Sequence, residues 1–247
     1  MVSGLCGFEQ CEEPYLRPEI STGFTPAPFR SSRSVIKTCP RPSRLSVPSR
    51  HIPSQPSHQH QVIDQCNQPM LSSVPTLIAF DLDGTVWTPD MYELWGGGAP
   101  FTATNDPNQI LDSKHVPVTL CGDIRGTLQM LRQDATFSDT KVCYVSCTDE
   151  PTWAAECLEL FKCDDGTPLS KVVHAELNQI YKANKQTHFR QLQEATGIAF
   201  ADMVFFDNEK HNCQSVSKLG VVCIHCPNGM DKDVWTDALE TFAASKN

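Results

Sequence analysis

The clearest structural signal in this chain lies in Thr76-Leu77-Ile78-Ala79-Phe80-Asp81-Leu82-Asp83-Gly84-Thr85-Val86-Trp87. A short apolar run, bordered by Pro75 and Gly84, ends in two aspartates that one residue separates. Apolar runs of this length between Pro and Gly are typical of buried strands. In an open parallel sheet, reactive groups lie just beyond the carboxyl ends of the strands. The stretch therefore predicts a buried strand with Asp81 and Asp83 at a candidate site, the structural alternative being a simple Asp-Gly turn.

Further apolar runs alternate with helical patterns along the chain. Residues 141–146 end in Ser146, residues 203–207 end in Asp207, and residues 221–224 form another strand candidate. A short strand is also expected at 172–174. Apolar residues at helical spacing predict helices over about 121–132, after Pro151, from about Lys185 to Thr196 and near the C-terminus. This alternation predicts an α/β fold with a doubly wound parallel sheet.

The segment that follows the first strand shows no sustained hydrophobic periodicity. It contains Gly96-Gly97-Gly98 and continues with polar residues to His115. Three consecutive glycines argue against a second folded domain and favour a long loop or a small flap. We therefore expect residues 76–247 to form one domain that is capless or carries a very small flap.

Residues 1–75 differ in composition from the rest of the chain. They hold 11 of the 18 prolines, and between Ser21 and Ile63 they contain six basic residues and no acidic residue. Such a segment cannot bury enough apolar surface to offset its chain entropy, so we expect a disordered extension. Its Arg- and Ser-rich middle also suits organelle targeting, whereas four glutamates near the N-terminus do not. A cytoplasmic location is the default expectation, with organelle targeting as the alternative.

Charge and cysteine usage narrow the function classes. Residues 76–247 hold 24 acidic residues and 13 lysines and arginines, a net charge of −11, which disfavours nucleic-acid binding. No run of about 18 apolar residues predicts a membrane span. Cys223 and Cys226 have a CxxC spacing, but no second pair with zinc-ligand spacing accompanies them. His58 and His60 are two isolated histidines in a polar segment, which usually bind no metal. A reducing compartment is expected.

Three strand ends together supply the groups that phosphoryl transfer requires. A carboxylate at Asp81 can attack phosphorus, and one at Asp83 can donate and accept the protons. Ser146 and Lys185 can hold phosphate oxygens, with Lys182 as a nearby rival for Lys185. Because clustered carboxylates repel a phosphate dianion, a hard cation such as Mg²⁺ is expected between them, with Asp207 completing its ligands.

Asp81-Leu82-Asp83-Gly84-Thr85 resembles the DxDxT motif of the haloacid dehalogenase-like (HAD) phosphotransferases. Ser146, Lys185 and Asp207-Asn208 follow in the order of that superfamily's other motifs. The magnesium-dependent phosphatase-1 family is a closer match, which the longer stretches 80–87, 185–189, 204–212, 217–221 and 223–230 support. The resemblance implies a Rossmann-like HAD fold and a Mg²⁺-dependent phosphatase acting on phosphotyrosine-type or sugar-phosphate substrates, either small molecules or phosphoproteins.

The same resemblance implies a role for each matching residue. Asp81 would be the nucleophile, Asp83 the general acid and base, and Ser146 with Lys185 the phosphate-binding pair. The metal would be bound by the side chains of Asp81 and Asp207 and by the main-chain carbonyl of Asp83, with Asn208 next to these ligands.

Two features of the chain depart from the family pattern. Cys147 stands where the family commonly has Arg after the Ser of its second motif, and the Gly96-Gly97-Gly98 region does not follow the usual loop. These departures leave the substrate open. A non-catalytic phosphate-binding module on the same fold is one alternative, and a phosphomutase or phosphotransferase is another. Trp87 and Trp95 belong either to the mouth of the site or to the core.

Overall fold

The computed structural model describes residues 73–247. Our expectations for the N-terminal extension, including the pair His58 and His60, lie outside the described residues. Within residues 73–247, no helix is long and apolar enough to cross a membrane.

A five-stranded parallel sheet forms the centre of the domain, as the alternating pattern predicted. Its spatial order is β7-β6-β1-β8-β9, and every neighbouring pair is parallel. The strand bounds are β1 (Leu77–Phe80), β6 (Lys141–Ser146), β7 (Gln179–Ile180), β8 (Met203–Asp207) and β9 (Val222–His225). The strand β1 therefore lies between β6 and β8, so the three strand ends singled out in the sequence are neighbours.

The central strand is apolar throughout because both of its faces are covered. Side chains alternate between the two faces of a strand. Ile78 and Phe80 pack into one core cluster, whereas Leu77 and Ala79 pack into the other. All four side chains are fully buried. This burial explains why the sequence shows a continuous apolar run, as is usual for parallel strands covered on both faces.

Five α-helices accompany these strands within the described part of the chain. They are α1 (Ile124–Gln133), α2 (Pro151–Leu160), α3 (Lys185–Thr196), α4 (Lys210–Val216) and α5 (Lys232–Ala244). The start of α3 is capped by Asn184, whose side chain accepts a hydrogen bond from the main-chain N–H of Thr187. The helix ends at Gly197, which adopts a left-handed conformation with a φ of 72°. These two caps confirm the bounds expected for this helix.

A small antiparallel sheet follows β1 in the chain. Its order is β2-β5-β4-β3, with bounds β2 (Trp87–Thr88), β3 (Thr102–Ala103), β4 (Gln109–Leu111) and β5 (Pro117–Leu120). This segment is the flap that the triple glycine indicated, and its strands are only two to four residues long.

The prediction of a strand at residues 172–174 is wrong. Residues 172–174 follow a short 3-10 turn at Leu169–Lys171, and the edge strand is instead Gln179–Ile180. The main-chain N–H of His174 still donates to the carbonyl of Val142 at 2.8 Å. Its ring Nδ1 accepts from the N–H of that residue at 3.1 Å. A side chain thus takes a hydrogen bond that a strand would have supplied, so no regular ladder forms there.

Candidate active site

The carboxyl ends of β1, β6 and β8 place three polar side chains at one edge of the main sheet. Asp81 follows β1, Ser146 ends β6 and Asp207 ends β8. All three are buried, and Asp207 has no exposed surface. Buried polar groups of this kind need partners, because an unpaired carboxylate in an apolar interior is costly.

Lys185, the first residue of α3, supplies the positive charge at this edge. Its Nζ contacts Oδ1 of Asp81 and donates to the main-chain carbonyl of Val145 at 2.6 Å. Oδ2 of Asp207 lies 3.6 Å from the same nitrogen. The side chain of Lys185 is almost completely buried. One ammonium therefore joins the two buried carboxylates. The rival Lys182 is exposed and pairs with Asp149 at 3.3 Å.

The pKa values of Asp81, Asp207 and Lys185 are set by two opposing effects, burial and the attraction between their opposite charges. Burial raises the pKa of Asp81, and the neighbouring Lys185 opposes that rise. Burial, followed by the charge of Asp81, raises the pKa of Asp207 to about 7. Burial alone would lower the pKa of Lys185, but the two carboxylates hold it above its usual value. The lysine is thus held as an ammonium where phosphate oxygens would bind.

Asp83 has a different environment from Asp81, although only one residue separates them. Its Oδ1 accepts a hydrogen bond from the indole Nε1–H of Trp87 at 2.8 Å. Burial raises the pKa of Asp83 to about 7, the Trp87 hydrogen bond opposes this shift, and the charge of Asp81 adds to it. A carboxyl group with such a pKa can both donate and accept a proton near neutral pH.

Gly84 and Thr85, in the loop that follows β1, contact Asn208 in the loop that follows β8. Gly84 has a φ of 71°, and a Cβ at this position would lie 2.2 Å from Nδ2 of Asn208. The hydroxyl of the buried Thr85 accepts from the main-chain N–H of Asn208 at 2.9 Å. The Gly-Thr pair that follows the aspartates is thus explained by close approach and by a hydrogen bond between two strand ends.

The donor set suits a hard cation. Oδ1 of Asp207 accepts from the main-chain N–H of Glu209 at 2.7 Å and from Nδ2 of Asn212 at 3.3 Å. Its Oδ2 is buried and has no hydrogen-bond partner among the described residues. Residues 73–247 contain no group of three or more His, Cys, Asp or Glu side chains arranged for a metal. The two carboxylates of Asp81 and Asp207, which Lys185 brings together, are the kind of oxygen donor that a hard cation such as Mg²⁺ prefers, and water or phosphate oxygens can supply further ligands.

Most of these groups line one cleft of about 340 Å³, although the fully buried Asp207 is not part of its lining. Five of the residues predicted from the sequence line it, namely Asp81, Asp83, Ser146, Lys185 and Asn208. The lining also contains residues that sequence reasoning missed or did not assign, namely Asp90, Tyr92, Cys147, Thr148, Asp149, Glu209 and Asn212. Most of the missed residues follow β6 and β8 within a few positions, so their place just after the strand ends was the available signal.

The two tryptophans considered for the mouth of the cleft have different positions. Trp87 is fully buried and stacks on Phe161 with ring centroids 6.3 Å apart, but its N–H still reaches Asp83. Trp95 is strongly exposed and is not part of the cleft lining. Neither Cys223 nor Cys226 forms a disulfide bond within the described part of the chain.

Comparisons with known proteins identify a matching family and several relatives. The family described as acid phosphatase matches residues 73–245. The chain is 35% identical over 179 residues to human magnesium-dependent phosphatase 1, covering 71% of this chain and 92% of that protein. A HAD-like hydrolase superfamily protein of Schizosaccharomyces pombe is 32% identical over 152 residues, covering 60% of this chain and 83% of that protein.

Among solved structures, a predicted HAD-like family hydrolase from Porphyromonas gingivalis aligns with a TM-score of 0.46 and 14% identity. The alignment covers 68% of this chain and 98% of that one. The family match spans most of the chain, and the identity to the human protein extends over nearly its whole length. On this evidence the chain belongs to the acid phosphatase family of the haloacid dehalogenase-like superfamily.

Proposed function

We propose that this protein is a Mg²⁺-dependent phosphomonoesterase that works through an aspartyl-phosphate on Asp81. The observation that carries the proposal is the buried ammonium of Lys185 between Asp81 and Asp207, with Asp83 two residues beyond the nucleophile. This arrangement combines a nucleophile, a fixed positive charge and a separate proton-transfer group in one cleft.

In the first step, a carboxylate oxygen of Asp81 attacks phosphorus, and the bond between phosphorus and the leaving oxygen breaks. Asp83 donates its proton to that oxygen, so an alcohol departs and an acyl phosphate remains. Lys185 and Ser146 bind the phosphoryl oxygens, where negative charge is concentrated. The different roles of the two aspartates follow from their partners, because Asp81 pairs with an ammonium and Asp83 with an indole N–H.

In the second step, water attacks the phosphorus of the aspartyl-phosphate and Asp83, now ionised, accepts the proton of that water. Inorganic phosphate leaves and Asp81 returns as a carboxylate. The flap contributes only Asp90 and Tyr92 to the cleft lining, so the cleft is not enclosed. An open cleft favours transfer to water over transfer to another acceptor, which supports a phosphatase over a phosphomutase.

Asp81 and Asp207 would hold Mg²⁺ through their side chains and Asp83 through its main-chain carbonyl. The human relative is named a magnesium-dependent phosphatase, and Oδ2 of Asp207, which accepts no hydrogen bond among the described residues, is available as a ligand atom. When bound, Mg²⁺ would neutralise the charge that the carboxylates and the phosphate dianion bring together. Phosphotyrosine-type esters and sugar phosphates, either free or on a protein, are the proposed substrates.

The test uses the full chain with para-nitrophenyl phosphate, with MgCl₂ or with EDTA. We expect turnover that requires Mg²⁺ and that Asp81→Asn abolishes, while Asp237→Asn, which removes an exposed carboxylate on α5, retains it. Acid quenching followed by borohydride reduction should convert Asp81 to homoserine, which marks the acyl phosphate. Binding of orthovanadate with no turnover of any ester would instead indicate a non-catalytic phosphate-binding module.

A further inference from the structure

The cleft carries more negative charge than the proposed reaction uses. Beyond Asp81 and Asp83, its lining contains Asp90, Asp149 and Glu209. These three residues come from the segments after β2, β6 and β8, so three separate loops bring carboxylates to the same cleft. We call these three carboxylates the acidic rim.

Few positive charges offset the acidic rim. Lys185 is the one cationic side chain among the described residues that line the cleft, and it is already held by Asp81 and Asp207. Cys147, which follows Ser146 and also lines the cleft, has an uncharged thiol.

Two side chains outside the lining contact rim residues. Lys182 lies 3.3 Å from Asp149 with side chains 78% and 61% exposed, and Nδ1 of His211 lies 3.3 Å from Oε2 of Glu209 with both side chains exposed. Exposed pairs of this kind hold each other weakly. The rim carboxylates therefore remain available to a ligand.

The rim charges act on one another across the cleft. Burial raises the pKa of Asp90, and Glu93, Asp81 and Glu209 raise it further. The pKa of the exposed Tyr92 is raised by Asp90 and Glu93, with a smaller effect from Glu209. These shifts have the sign of a negative potential at the cleft mouth. A cation would be stabilised in this potential, and the ring of Tyr92 offers it an additional favourable surface.

We propose that the acidic rim makes this site selective for phosphomonoesters whose leaving group carries a positive charge, such as an amine close to the ester oxygen. The inference rests on the proposed phosphatase function and assigns its substrate class. The phosphoryl group lies at Ser146 and Lys185, and the leaving group extends toward Asp90, Asp149 and Glu209. An ammonium on the leaving group is attracted there, whereas a carboxylate is repelled.

The size of the effect follows from Coulomb's law. A pair of unit charges about 7 Å apart in water changes an equilibrium by on the order of threefold. With several rim carboxylates, replacing a cation by an anion should change kcat/KM by about tenfold or more at low ionic strength. Salt at about 0.5 M should reduce the difference, because the Debye length falls well below this separation.

The experiment compares three two-carbon esters on the full chain with Mg²⁺. The leaving group carries an ammonium in phosphoethanolamine, no charge in ethyl phosphate and a carboxylate in phosphoglycolate. We expect kcat/KM, measured by phosphate release, to decrease in that order, with a ratio of about tenfold or more between phosphoethanolamine and phosphoglycolate. The double variant Asp149→Asn/Glu209→Gln should reduce this ratio to about threefold or less. Asp237→Asn, which removes one surface carboxylate elsewhere, should leave the ratio unchanged.

The three esters also differ in intrinsic reactivity, but these differences are the same for every enzyme variant. They cancel when the substrate ratio of the double variant is compared with that of the wild type. If none of the three esters, nor para-nitrophenyl phosphate, is hydrolysed with Mg²⁺, the proposed phosphatase function itself is wrong. If neutral esters are hydrolysed but phosphoglycolate reacts as well as phosphoethanolamine, the charge selectivity is wrong. A preference that persists in the double variant also overturns the role of the acidic rim.

Discussion

Lys185 at the start of α3 pairs with Asp81 at the end of β1, although 104 positions separate them in the chain. The contact is buried and brings the ammonium within 3.6 Å of Asp207 as well. Carboxylates from two neighbouring strands are therefore kept together by one helix residue. The predictions below follow from this relationship and from the surroundings of the two aspartates of β1.

Lys185→Met should lower kcat/KM for para-nitrophenyl phosphate by at least about 100-fold, because the phosphoryl oxygens lose their fixed positive charge. The variant should also lose roughly 3–5 kcal/mol of unfolding free energy without Mg²⁺, since two buried carboxylates lose their partner. Steady-state kinetics and urea unfolding measure the two effects. Lys182→Met is the matched control and should change both by little, since its pair with Asp149 is exposed.

Asp83→Asn should slow the second step more than the first with an aryl ester, because a nitrophenolate leaves without needing a proton. We expect a burst of nitrophenol followed by turnover reduced by about 10²–10⁴-fold. Quenched-flow kinetics should show the acyl phosphate accumulating in the variant. An unchanged steady-state rate would show that Asp83 is not the general base.

Trp87→Phe should shift the alkaline limb of the pH profile to higher pH. The indole N–H stabilises the ionised form of Asp83 and so opposes the rise in its pKa. Removing this hydrogen bond should raise the pKa further and keep the acid protonated at higher pH. The measurement is kcat/KM against pH for an alkyl phosphate, which needs leaving-group protonation. Trp235→Phe, which alters a packed aromatic on α5, is the control, and an equal shift in both variants would contradict the prediction.

His188→Gln should reduce the loss of stability on acidification. The buried ring donates Nε2–H to the carbonyl of Tyr181 at 3.1 Å, and its Nδ1 has no partner among the described residues. Burial, with a contribution from the charge of Lys185, lowers the pKa of His188 to about 4. Between pH 6.5 and 4 the unfolded chain therefore binds a proton that the folded chain does not, and stability falls as pH falls.

Other groups also titrate in this window, and Asp83 and Asp207, with raised pKa values, change stability in the opposite direction. The informative quantity is therefore the difference in unfolding free energy between the variant and the wild type, measured in urea from pH 7 to pH 4.5. We expect the variant to become relatively more stable as pH falls. Parallel curves for His188→Gln and the wild type would contradict the prediction.

Asp207→Asn should abolish most of the stabilisation by Mg²⁺. A ligand at 100 times its Kd contributes about 2.7 kcal/mol, which corresponds to a rise in Tm of about 5–10 °C for a domain of this size. Without Mg²⁺ the variant should be no less stable than the wild type, because the Asn is neutral beside Asp81. Thermal unfolding with MgCl₂, and with NaCl at equal ionic strength, separates binding from screening. An equal Mg²⁺-dependent rise in both proteins would remove Asp207 from the proposed metal ligands.

The sequence alone determined four of the five strands of the parallel sheet, most helices and the order of the site residues. A run such as 77–80 can be apolar at every position only when both faces of the strand are covered, so local pattern and fold class agree. The caps of α3, Asn184 and Gly197, are local devices that act through the backbone of their own turn. Asp81, Ser146 and Asp207 were recognisable because each stands at the end of an apolar run.

The tertiary structure decided what each side chain touches. The choice of Lys185 over Lys182 depends on how the start of α3 packs, because Lys185 begins the helix and is buried beside Asp81, whereas Lys182 precedes the helix and forms an exposed pair with Asp149. The hydrogen bond from Trp87 to Asp83, and the acidic rim drawn from three loops, likewise depend on long-range packing. Spacing in the chain predicts faces of strands and helices, whereas burial, pairing and charge in a cleft arise only when distant segments meet.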